Sequence, residues 1–165
     1  MMDHPGLERA RLKLEGALNA PEARPNGSST VRRLLAATHL RLGSPLDAEE
    51  LLLDKGVLDE SQPAATRREA KFLLGVCYQK SGRAEQAMTM FEEVLGEDQG
   101  HWRARFHVAL LAVSEGEYST AEELLEEVLE SNAEHEEARK ILDKLQERAD
   151  AENNRLVIPE QTTSK

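Results

Sequence analysis

The stretch Leu74-Gly75-Val76-Cys77-Tyr78, followed by Gly82, Ala87, Phe91 and Val94, decides the fold. Ala87, Phe91 and Val94 fall four and three apart, the spacing of one face of a 3.6-residue helix, and Gly82 breaks that helix from the one before it. Thirty-four residues further on, Val108, Ala109, Gly116, Ala121, Leu125 and Val128 stand at the equivalent places. The pattern predicts antiparallel helix pairs. Gly75 or Ala109 lets two backbones approach, and the larger residues fill the space beside them.

Working outward, Gly43, Ala48 and Leu52 repeat the spacing 39 residues upstream. They predict an earlier pair, Ser29 to Gly43 and Pro45 to Lys55, with Ser44 as N-cap and Pro45 at the first helical position. The five extra residues fall in the connector Gly56 to Thr66, which carries Asp59, Ser61 and Pro63 and reads as a loop. Ala10, Leu14 and Ala17 share the four-and-three spacing, so the first helix is either the second half of a further unit or an amphipathic cap. Downstream, Leu142 lies 34 residues after Val108, but Asp143 takes the small-residue place. A helix from Glu134 to Ala149 is therefore expected as a polar-faced cap. Thr66-x-x-Glu69 and Ser119-x-x-Glu122 have the form of capping boxes and are expected to mark helix starts. The organisation reads as a helix over 1–20, a linker over 21–28, a repeat domain over 29–150 and a disordered tail over 151–165. Within the domain the pairs span 29–62, 68–101 and 102–135, followed by the cap helix at 134–149.

Leu74-Gly75, Tyr78, Ala87 and Phe91 resemble the tetratricopeptide repeat, whose 34-residue unit has Leu-Gly and Tyr on its first helix and Ala and Phe on its second. Lys71 stands where that repeat has Trp, and Gln99 where it has Pro; in the next unit Ala112 replaces the Tyr and Ala133 the Pro. The resemblance implies an all-α, right-handed helical-hairpin solenoid of about three repeats, with an N-terminal helix and a C-terminal capping helix. It also implies a concave groove lined by the first helices. Ligand contacts are then expected from Arg33, Ala37 and Leu40, from Phe72, Val76 and Gln79, and from Phe106, Leu110 and Val113. The two-carboxylate clamp of some family members maps onto Arg33, Ala37, Leu73, Arg103 and His107, which keeps three basic-type residues and loses both amides. The expected occupant is an amphipathic, partly acidic segment, with Phe72 and Phe106 as apolar anchors and Arg33 and Arg103 at its charged ends. The tail segment Leu156 to Ile158 and a second copy of the chain are rival occupants.

Composition narrows the function classes. The 165 residues carry 31 acidic against 21 basic side chains, a net charge of −10, which disfavours nonspecific attraction to nucleic acid or anionic membrane. The longest apolar run, Val108 to Val113, is six residues, so no membrane insertion is expected. Arg9, Arg11 and Lys13 suit a transit peptide, but Asp3, Glu8 and Glu15 oppose one, and Asn26-Gly27-Ser28 reads as a turn. Cys77 is the sole cysteine, so no intrachain disulfide can form, and a reducing, cytoplasmic setting is expected.

No enzyme motif is present, and Cys77, between Val76 and Tyr78 in a helix, reads as packing rather than as a nucleophile for His107. His101 and His107 are six apart, off the spacing of a helical metal site, so the histidines read as surface residues and no cofactor or metal is expected. Glu115 to Glu137 holds ten Glu and no Lys or Arg, either a solvated helix face or a docking face for a basic partner. Arg32, Arg33, Arg67, Arg68, Lys71, Arg103, Arg105, Arg139 and Lys140 gather near the starts of first helices, where positive charge opposes the macrodipole. Acidic neighbouring helices or a ligand would explain them.

The expected function is a non-enzymatic adaptor or assembly factor; the alternative is a constitutive subunit of a larger complex. Gly75→Arg or Ala87→Arg should unfold the array by overpacking and by burying a charge, seen as lost helicity in circular dichroism. Full helicity and an unchanged melting point in both variants would refute the register.

Overall fold

The computed structural model describes residues 4–20, 25–54 and 56–156. They form eight helices and, among the described residues, no strand: α1 (His4–Leu18), α2 (Pro25–Leu42), α3 (Pro45–Leu53), α4 (Ala64–Lys80), α5 (Ala84–Glu97), α6 (Trp102–Glu115), α7 (Tyr118–Ser131) and α8 (Glu136–Leu156). The hairpins α2/α3, α4/α5 and α6/α7 pack in series, with α1 against α2 and α8 against α7. No described helix is long and apolar enough to cross a membrane. Gly116 shows why the hairpin turns need glycine: it ends α6 at φ 84°, a left-handed conformation that a Cβ would strain.

The closest packing lies inside the second hairpin. A Cβ placed on Gly75 would come within 2.5 to 2.9 Å of three atoms of the Phe91 ring. Only a glycine fits beneath that ring. The other hairpins hold Ala36 with Leu52 and Ala109 with Leu125 at the same places, and all four residues are fully buried. A smaller second-helix residue thus accompanies a larger first-helix one. Around these pairs the core runs in two clusters, one joining Leu52, Val57, Leu74 and Phe91, the other Ala109, Leu125, Val128 and Leu142. Cys77 is fully buried in the first, and burial pushes its thiol up to about 12, so it stays protonated and unreactive.

Ion pairs account for most of the basic cluster. Within hairpins, Lys71 meets Glu93 at 2.8 Å and Glu97 at 2.9 Å, Arg105 meets Glu127 at 2.7 Å, and Arg32 meets Asp54 at 3.4 Å. The two carboxylates raise the Lys71 pKa through their hydrogen bonds. Between hairpins, Arg83 bonds Glu49 at 3.0 Å and Arg103 bonds Glu69 at 3.3 Å, each across 34 residues. Exposed pairs of this kind contribute about 0–1 kcal/mol each, so they select register more than they add stability.

Several helix ends differ from expectation. α2 starts at Pro25, four residues before the expected Ser29, because proline suits the first helical turn. Thr66 and Ser119 cap nothing: α4 begins at Ala64 behind Pro63, α7 begins at Tyr118 behind Glu117, and neither N-cap side chain bonds the helix. Pro45 does open α3, but Ser44 makes no capping bond. Histidines supply the caps instead. Nδ1 of His101 accepts from the Ala104 N–H and Nδ1 of His135 from the Ala138 N–H, both at 3.1 Å. The connector after α3 is a packed loop, with Val57 fully buried and Ser29 Oγ donating to the Gly56 carbonyl at 3.1 Å. α8 runs to Leu156, so residues 151–156, expected in the tail, are helical; Val157, Ile158 and the rest of the tail lie outside the described residues.

Gly75→Ala should cost about 1–3 kcal/mol by overpacking against Phe91. In a Phe91→Leu background the same substitution recreates the Ala–Leu pairing of the other hairpins and should cost less than half as much. Thermal denaturation of the four-member cycle measures the difference, and strict additivity would contradict this packing.

Candidate functional site: the first-helix face

The first helices α2, α4 and α6 lie side by side, and with the start of α8 they enclose a depression of about 510 Å³. Its apolar lining is Ala37, Leu40, Phe72, Leu73, Val76 and Trp102; its polar lining is Arg41, Lys80, Arg103, His107 and His135. Among the described residues no carboxylate lines it.

Six of the expected groove residues, Ala37, Leu40, Phe72, Val76, Arg103 and His107, do line the depression. Arg33, Gln79, Phe106, Leu110 and Val113 do not. Gln79 Oε1 is engaged with Nδ1 of His107 at 2.6 Å, tying α4 to α6, while Leu110 and Val113 pack on the second core cluster. Arg33 is half-buried, and its Nε meets no acceptor among the described residues.

The two phenylalanines are not exposed anchors. Phe72 is 2% and Phe106 6% exposed, because each ring is roofed by the histidine that caps the next first helix. His101 lies 5.2 Å from the Phe72 centroid, and His135 lies 4.4 Å from that of Phe106. Above Phe72 sits the Arg103 guanidinium, 4.2 Å from the centroid, a cation–π contact that holds the charge at the edge of the depression. Phe72 forms part of the floor of the depression, while Phe106 belongs to the second core cluster.

His101, His107 and His135 are therefore structural, which corrects their reading as surface residues. His107 is stacked on Phe91 at 5.3 Å and meets Phe72 edge-on at 5.5 Å. Burial first, then the charges of Arg103, Lys80 and His135, lower its pKa to about 4. Burial and Arg103 likewise lower that of His101, and its cap requires a bare Nδ1, so both imidazoles stay neutral.

Sequence reasoning missed Arg41, Lys80, Trp102 and His135 as lining residues. Arg41 and Lys80 are 39 apart, the offset that relates the first two hairpins, and both stand at the C-terminal end of a first helix. Positive charge is favourable there. That repeat-matched pair was the available signal.

The shifted His107 fixes the sign of an acid effect. Its folded pKa lies below the unfolded 6.5, so its contribution is complete above about pH 6.5 and is lost as pH falls towards 4. Between pH 7.5 and 5 the loss should be about 2 kcal/mol. His107→Phe should keep the stacking and flatten this part of the profile; equal acid sensitivity in melts of both proteins would contradict the assignment.

Comparison with known proteins places the fold. Residues 78–145 match the tetratricopeptide repeat family. Among curated proteins none matches this chain. Solved structures similar to it include MamA, at 22% identity and TM-score 0.60, covering 93% of this chain and 99% of that one. The Yersinia enterocolitica type III secretion chaperone SycD, solved with a peptide of the translocator YopD, has 22% identity and TM-score 0.59 over 72% of this chain and 92% of that one. A tetratricopeptide repeat protein from Parabacteroides merdae has TM-score 0.64 at 21% identity; the match covers 88% of this chain but 56% of that one. Residues 78–145 thus match the tetratricopeptide repeat, and the described chain has the fold of an all-helical solenoid of stacked hairpins.

Proposed function

We propose that the chain is an adaptor or assembly factor that seats an amphipathic, acidic segment of a partner protein in the first-helix depression. One observation carries this reading: Arg41, Lys80 and Arg103 surround an apolar floor with no carboxylate among the described lining residues, in a chain whose net charge is −10. A cationic cleft on an anionic protein attracts carboxylates and repels the protein's own surface. The floor of Ala37, Leu40, Leu73 and Val76 offers apolar area for the residues between those carboxylates. SycD, which shares the fold, is solved with a peptide of another protein, and that supports a peptide-holding role here. A single cysteine, Cys77, suits a reducing intracellular setting.

A second reading, a subunit built permanently into a larger complex, draws on the exposure of Leu12, Leu34, Leu46 and Leu53, all in α1 to α3. Such a subunit should aggregate when purified alone, whereas an adaptor should remain dispersed.

The charge-reversed variant Arg41→Glu, Lys80→Glu alters two exposed side chains and should keep its helicity, with stability lowered only by the helix-end charges, about 0.3–1 kcal/mol each. Affinity capture from native extract should then lose the dominant partner, by tenfold or more in recovered amount. Undiminished capture would move the interface off this face.

A further inference from the structure

The first described helix, α1, carries the packing face of a second helix. We propose that the open face of α1 docks an amphipathic helix of a partner protein, one that presents Gly or Ala at its packing centre and acidic residues on its flank. Ala10 and Leu14 of α1 stand at the places of Ala48 and Leu52 in α3, Ala87 and Phe91 in α5, and Ala121 and Leu125 in α7. In those three helices every such residue is 0% exposed, because the first helix of the same hairpin lies over it. On α1 both are only partly covered, and Ala17, equivalent to the fully buried Val94 and Val128, is exposed. α1 therefore has the pattern of a second helix, and among the described residues no first helix covers that face.

α2 carries the same signature. Leu34 is 44% exposed, while Leu73, its equivalent on α4, is 5% exposed where the preceding hairpin covers it. At the other end of the described array α8 sets exposed Asp143 and Gln146 where α4 has buried Gly75 and half-buried Tyr78, a polar face unsuited to a further second helix.

The chain itself shows what fits the open face. Its three first helices bring Ala36, Gly75 and Ala109 to the large residue of the second helix, so the incoming helix needs a small residue at that point. Charge then separates a foreign helix from one of a second copy. In each complete hairpin the first helix brings the cation and the second the acid, as in Arg32–Asp54, Lys71–Glu93 and Arg105–Glu127. On α1 the acid's place is Gly16, and one turn away the exposed Lys13 makes no ion pair among the described residues; nor does the exposed Arg9. A first helix from another copy would add a cation to this rim. An acidic-flanked helix would neutralise it.

Two labelled peptides test this on the full chain by fluorescence anisotropy. One is the Ala64–Lys80 sequence; the other carries Arg67→Glu, Arg68→Glu, Lys71→Glu and Lys80→Glu. The acidic peptide should bind at least tenfold more tightly. Ala17→Arg, on an exposed residue, should abolish the binding measured in the Arg41→Glu, Lys80→Glu background, and Lys13→Glu should narrow the preference. Binding that Ala17→Arg removes should persist in the Arg41→Glu, Lys80→Glu variant, where the first-helix depression no longer takes an acidic peptide, and this separates the two faces. Failure of both peptides to bind, or binding that survives Ala17→Arg in that background, would overturn the proposal. So would a micromolar dimer in sedimentation that Ala17→Arg dissociates, since a second copy would then occupy the face.

Discussion

The distance between α4 and α5 is set by one side chain that is absent: a Cβ on Gly75 would stand 2.5 Å from the Phe91 ring. Because the backbones close in until ring meets glycine, Leu74 and Cys77 are carried inward beside them and the hairpin has one stable separation. In a solenoid each unit touches only its neighbours, so that separation also sets where the next first helix rests. The Ala–Leu pairs of the other hairpins keep the same combined bulk with its division shifted by about a methyl group. Three hairpins of different sequence can therefore stack as equivalents.

The depression is a by-product of that stacking with a charge pattern laid over it. Cations near the starts of the first helices are answered by acids on the second helices, and little of that charge is left for a ligand. Cations at the opposite ends, Arg41 and Lys80, make no ion pair among the described residues and stand at the carbonyl end of their own helix. Free positive charge thus collects on the first-helix face while the net negative charge of the chain lies elsewhere. Position along a repeat decides which arginine or lysine is committed and which is available.

Much of the fold was legible because the packing rule is local and repeats. The series Gly75–Phe91, Ala109–Leu125 and Ala36–Leu52 is visible as small and large letters at fixed spacing, and the hairpins lie where that series places them. Helix ends were less legible, since Thr66 and Ser119 satisfy the capping-box spacing yet sit inside helices whose starts are fixed by Pro63 and by the Gly116 turn. The histidine caps were invisible because imidazole is an uncommon N-cap acceptor, although His101 and His135 recur at the 34-residue offset. Phe72 and Phe106 were expected at a groove surface; their burial depends on a histidine three-dimensionally adjacent but almost 30 residues away in the chain. That is tertiary information, and a one-dimensional pattern does not contain it.

The ion pairs Glu49–Arg83 and Glu69–Arg103 join residues at a repeat-length offset, but the junctions they serve are not alike. One unit after Arg83 the same place holds Glu117, and one unit after Arg103 it holds Glu137. Were the middle hairpin excised and its neighbours rejoined, Glu49 would confront Glu117, and like charges would meet where a bond now stands. The hairpins share a shape yet carry addresses. Their order is written in charge, and the array behaves as a sentence whose words cannot be exchanged.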